Sequence, residues 1–218
     1  MVRNIVLSAA GAGLAACLAM GAVQFITTEP LILHAEAIET AAEVAHSDHG
    51  WQPVAGLERS LVTLAADFVV GTAVALMLLG AMVARGDPID PRRGLMWGAG
   101  GFVAASLLPS LGLPPELPGT PAADLLARQV WWLGTALASA AGLTLLAFAR
   151  RWGWRVTALA LLIAPHAVGA PRAPSLEAAY PAALAGAFAV ASIAVSAVLW
   201  SVAGLASGWL YRRLATSG

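Results

Sequence analysis

Residues 61–84 read LVTLAADFVVGTAVALMLLGAMVA, with Arg85 directly behind them. A helix needs about 20 consecutive, mostly apolar residues to cross the hydrocarbon core of a bilayer. This run is long enough, and Asp67 is its single charged residue. It is therefore read as a transmembrane helix, and the rest of the chain is read outward from it.

The composition agrees. Of 218 residues, 59% are hydrophobic and 11% are charged, against about 25% charged in an ordinary soluble domain. A chain this apolar has too little polar surface to cover itself in water. The fold class is an all-α integral membrane protein, one transmembrane domain over residues 1–218. Every cation is Arg, and the acids balance them to a net charge of zero. The one cysteine, Cys17, excludes an intrachain disulfide and a Cys-pair metal site. Inside an apolar run it reads as a small packing residue.

Five further apolar runs cover residues 5–26, 94–111, 130–149, 156–170 and 184–210. Together they predict a six-helix transmembrane bundle. The run at 156–170 is the shortest, and if it only dips into the membrane the count falls to five. The first run follows Arg3 like a signal peptide, but it exceeds the usual ~7–15 apolar residues of a signal sequence, so a retained helix is expected.

Arginine placement sets the orientation. Arg3 precedes the first run. Arg85, Arg92 and Arg93 join the second to the third. Arg150, Arg151 and Arg155 join the fourth to the fifth, and Arg212 and Arg213 follow the sixth. Six crossings put all of these on one side, which predicts cytoplasmic N- and C-termini. Arg59, Arg128 and Arg172 alone fall on the other side.

That outer side carries the acids Glu29, Glu36, Glu39, Glu43, Asp48, Glu58, Glu116, Asp124 and Glu177, and all four histidines fall there or at the outer membrane edge. An acidic vestibule concentrates cations. Removal of Arg from outer loops would leave acids there for solubility alone, but that account does not explain the histidines. The long outer loop, residues 27–60, contains EPLILHAEAIETAAEVAHSDHGWQP. A helix is expected over 31–45, with Glu36, Glu39 and Glu43 on one face. Leu31, Ile32, Ala35 and Ile38 form an apolar side suited to the membrane surface. The Pro-rich connection at 112–129 predicts a stiff, non-helical outer cap, with Asp124 or Thr120 capping a short following helix.

His46 and His49 are three residues apart, a spacing that presents two imidazoles to one ion on a helix or turn. With His34, and with Glu36 and Asp48 completing the shell through oxygen, they form a candidate site for Co, Ni, Zn, Cu or Fe. A plain solvated loop is the competing reading. His166 follows Pro165, and an ionisable residue beside a proline break at the membrane edge is a functional candidate. Asp67 is the acid placed well inside the bilayer, with Thr63 one turn above it. It reads as a cation or proton way-station, or else as one end of an interhelical hydrogen bond. Gln24, Ser106, Ser110, Thr135, Ser192 and Ser196 read mostly as packing glue, and GAGG at 98–101 as a close helix contact. No GxxxxGK[ST], GxSxG or HExxH motif is present, and no basic patch with aromatics, so neither an enzyme nor a nucleic-acid binder is expected.

TEPLILHAE, GLERSLVTLAA, LPSLGLPPELPG, ADLLARQVWW, RRWGWR, LLIAPHAVGAP and GWLYRRL follow one another along the chain. In this order they resemble the CbtA proteins, proposed membrane subunits of a bacterial cobalt transporter. The resemblance spans nearly the whole chain. It implies uptake of Co2+ (Ni2+ or another divalent cation remains open) supplying cobalamin synthesis. It also implies a small single-span, His-rich partner, CbtB. The family's histidine emphasis falls here on His34, His46, His49 and His166. A non-transporting metal sensor or scaffold in the bilayer is the alternative.

Overall fold

The computed structural model describes residues 1–41, 53, 56–175 and 180–216. Among these the chain is helical, without strands. The helices are α1 (Val2–Ile26), α2 (Thr28–Ala41), α3 (Leu57–Arg85), α4 (Pro91–Phe102), α5 (Leu125–Phe148), α6 (Trp152–Val168) and α7 (Ala182–Thr216). Helix α4 runs on through a π-helical stretch (Val103–Leu107) into a last α turn (Leu108–Ser110). Each predicted span coincides with a helix. Four of them, α1, α3, α5 and α7, are long and apolar enough to cross a membrane. Helix α4 is interrupted by its π turn, and α6 has 17 residues, about 25 Å at 1.5 Å per residue.

The π turn has a local cause. Pro109 has no N–H to give and its ring crowds the carbonyl four residues back, so the helix widens ahead of it. The Trp200 indole N–H donates to Ser106 Oγ at 3.2 Å, and Ser110 Oγ donates to Ser106 O at 2.6 Å. Ser106 does act as glue between two helices, as the sequence leads one to expect, whereas Ser110 bonds back within its own helix.

Helices α1, α3, α4 and α7 form the core. One apolar cluster joins Ala16, Met20, Val74, Leu78, Val195 and Leu199, and a second joins Ala9, Ala12, Ala75, Leu79 and Met82. Lipid-like surroundings offer no hydrophobic reward for helix association, so close backbone approach must supply it. At α4–α7, a Cβ on Gly94 would strike the Gly204 carbonyl, and one on Gly98 the Trp200 carbonyl. At α1–α3, a Cβ on Gly13 would lie 2.6 Å from the Thr72 nitrogen. Helix α6 packs on α5, and α5 reaches the core mainly through the π stretch of α4. Leu14, Phe25, Val69, Leu137, Ile163 and Val190 point outward and exposed, the apolar coat of a protein solvated by lipid.

Arg85, Arg92, Arg93, Arg212 and Arg213 gather at one end of the bundle, while Arg59 and Arg128 pair with Glu36 and Glu116 at the other. Asn4 Nδ2 donates to Leu214 O at 3.3 Å, which brings the chain's two ends together. A Cβ on Gly208 would meet the Asp90 backbone, and the Arg85 guanidinium stacks 3.5 Å from the Phe148 ring centre. Arg85 also pairs with Asp87 at 3.1 Å, which accepts from the Trp97 indole. Asp90 caps α4 through the Arg93 N–H.

At the opposite end, α2 differs from expectation. It begins at Thr28 because Pro30 sits in the first turn, where its missing N–H has no helical partner to lose. Its apolar side does not rest on lipid. Ala35, with Leu31, Ile32 and Ile38, packs against Leu117 of the Pro-rich cap and against Tyr180, Leu184, Ala185 and Phe188. The cap is non-helical through Asp124, but residues 125–129, expected within it, are the first turn of α5. Asp124 Oδ1 accepts from the Ala127 N–H at 2.9 Å, but the helix it caps is α5 itself, not a separate short one.

Candidate functional site

Asp67 is 6% exposed on the face of α3 that meets α1. The Gln24 amide N–H donates to Asp67 Oδ1 at 3.4 Å. Asp67 Oδ2 and Gln24 Oε1 are both buried, and no donor among the described residues reaches either. Space beside them comes from Gly21, one turn before Gln24. A Cβ there would stand 3.9 Å from Asp67 Oδ2 and 2.9 Å from Leu64 Cδ2. Cys17 Sγ donates to Leu64 O at 3.3 Å, so the thiol is spent on backbone. The bond to Gln24 fixes the depth: Asp67 lies level with the last turn of α1, just before the chain turns into α2. That is one turn from a helix end, although the residue is well inside α3.

The other candidates are dispersed. Thr63, one turn before Asp67, is exposed. His34 is exposed on α2. Glu36 pairs with Arg59 at 3.1 Å, so its carboxylate already answers a guanidinium. His46, Asp48 and His49 lie outside the described residues. His166 sits in the last turn of α6, its ring edge-on to Trp131 with centroids 5.9 Å apart. The Trp131 indole N–H donates to Pro165 O at 3.3 Å. His166 Nε2 is buried, with no partner among the described residues. Pro165 is near the helix end, so it terminates α6 more than it kinks it.

The structure therefore does not join Asp67 and His166. Asp67 belongs to the α1–α3 seam, His166 to the α5–α6 pair. Among the described residues no three His, Cys, Asp or Glu side chains gather into a metal-binding group. Sequence reading placed Gln24 among packing residues and so missed the partner of Asp67. Its one signal was an amide near the C-terminal end of the first apolar run, where an acid on the second could reach it.

The fold defines a helical membrane protein with a carboxylate buried in a helix seam. The chain belongs to the CbtA family, described as a probable cobalt transporter subunit, whose model matches residues 2–212. A subunit implies a partner. No curated protein and no solved structure matches the chain.

Proposed function

We propose that this chain is the membrane subunit of a Co2+ uptake system supplying cobalamin synthesis, working with a small single-span, His-rich CbtB-like partner. It crosses the bacterial inner membrane six times, with its Arg-rich end and both termini in the cytoplasm. The loop at 27–60 and the cap at 112–129 face outward. His34, His46 and His49, with Glu36 and Asp48, gather the ion at the outer mouth. His166, with its free Nε2, is a further ligand on the α5–α6 side of that mouth. Asp67 is the cation or proton way-station beneath, and Thr63 lies on its approach. A carboxylate inside a membrane costs at least ~2.5–3.5 kcal/mol, so it is kept where an ion uses it. The observation that carries this reading is the buried, half-satisfied Asp67 in a member of a transporter-subunit family. Inward movement of a divalent cation is favoured by ~4.6 kcal/mol per 100 mV of membrane potential.

One observation favours the alternative, a membrane metal sensor or scaffold: Asp67 and His166 stand on different helix groups, so the two do not trace one route. Purified protein in vesicles, with and without the partner, separates the readings. Transport predicts accumulation of radioactive Co2+. A scaffold binds Co2+ and accumulates none.

A further inference from the structure

The two unanswered oxygens in the α1–α3 seam carry an inference that rests on reading Asp67 as a cation station. Gln24 gives an N–H to Asp67 Oδ1, leaving Gln24 Oε1 and Asp67 Oδ2 buried without a donor. Both are acceptors, so neither can satisfy the other. Elsewhere in the spans, Thr135 donates to Trp131 O and Thr144 to Ala140 O, while Ser8, Thr72, Ser139 and Ser207 keep single neutral hydroxyls buried without a partner among the described residues. Here two acceptors stand together, one of them a carboxylate oxygen. A positive charge placed between the two oxygens satisfies both.

How much charge fits is settled by counting. Asp67 supplies one negative charge and Gln24 none. On α1 the other titratable groups are Arg3, at the far end, and Cys17, whose thiol bonds Leu64 O. On α3, Glu58 and Arg59 lie in the first turn and Arg85 in the last. On α4 and α7, Arg92, Arg93, Tyr211, Arg212 and Arg213 stand at the Arg-rich end. On α2, above the seam, are Glu29, His34, Glu36 and Glu39, with Glu36 paired with Arg59. Among the described residues Glu58, in the first turn of α3, is the one other acid on a span helix. A divalent ion at Asp67 would leave a net positive charge in a medium that solvates it poorly, whereas a single positive charge leaves none.

We propose that Asp67 and Gln24 form a binding site for a small monovalent cation, a proton or a sodium ion, held between Asp67 Oδ2 and Gln24 Oε1. A proton on Oδ2 donates to the amide oxygen while the amide N–H donates to Oδ1, closing an acid–amide ring. A sodium ion takes both oxygens as ligands. In either form the site fills and empties by one charge, which is the property of a coupling ion and not of the divalent cargo. Gly21 keeps the space open.

The test uses the full chain in lipid vesicles. Infrared difference spectra read the proton, and equilibrium binding of radioactive Na+ reads sodium. A protonated-carboxyl band that Asp67→Asn removes and Gln24→Leu shifts assigns the proton. One Na+ per chain, weakened about tenfold or more by either substitution, assigns sodium. Gln24→Glu supplies a second negative charge and is expected to raise Co2+ affinity about tenfold. Absence of both signals from the wild type overturns the proposal, as does Co2+ binding at Asp67 that neither protons nor Na+ displace. Neither readout involves transport, so a protein that holds the monovalent ion yet moves no Co2+ defeats the transport reading alone.

Discussion

Asp67 and His166 are the ionisable side chains of the described spans that hide a polar atom without a partner, and they should fail differently. Asp67→Asn keeps shape and removes charge, so Co2+ uptake should fall about tenfold or more at saturating Co2+, with the protein still eluting as the wild type. His166→Ala removes a ligand from the mouth. It should raise the Co2+ concentration for half-maximal uptake and spare the maximal rate. Uptake measured against Co2+ concentration separates the two. Asp67 was legible as a lone acid in an apolar run. Gln24 was not, because span amides usually serve packing, and the register that joins them is set by the Gly13–Thr72 approach. That approach depends on three dimensions, not on either run alone.

The helices themselves were legible because a lipid-facing span must be long, apolar and uninterrupted. What each helix touches was less so. The apolar side of α2 suits lipid and protein equally, and the structure spends it on Leu117, Tyr180 and Leu184. Ala35→Glu, at a position 1% exposed, should detach α2 and open the 27–60 loop to protease without unfolding the bundle. Limited proteolysis followed by mass spectrometry reads this. Arg59→Ala should do little by comparison: the pair with Glu36 is about one-third exposed on each side, and such pairs are worth about 0–1 kcal/mol. At the α4–α7 crossing, Gly98→Leu forces a side chain into the Trp200 carbonyl. Overpacking of this kind costs about 1–3 kcal/mol, and a lowered thermal midpoint in detergent would show it.

On the scale of the whole molecule, the arginine pattern read from sequence becomes a geometry. Asn4 against Leu214, Gly208 against Asp90 and Arg85 over Phe148 bring the chain's two ends, the α3–α4 turn and the end of α5 to one face of the bundle. Opposite them stand α2, the Pro-rich cap and His166. In the proposed function this polarity admits a cation at the acidic end and keeps arginine at the other. With Cys17→Ala as background, a cysteine at Pro88 should label only from the cytoplasmic side, and one at Pro118 only from outside. The central claim is that this bundle moves Co2+ inward and that the movement depends on Asp67. The most direct measurement is radioactive Co2+ accumulation in vesicles under an inside-negative potential, comparing wild type with Asp67→Asn and adding the partner subunit to both. The account predicts potential-dependent accumulation by the wild type and about one-tenth of it or less by the variant. Equal accumulation by the two, or none by a folded wild type with its partner, would contradict it.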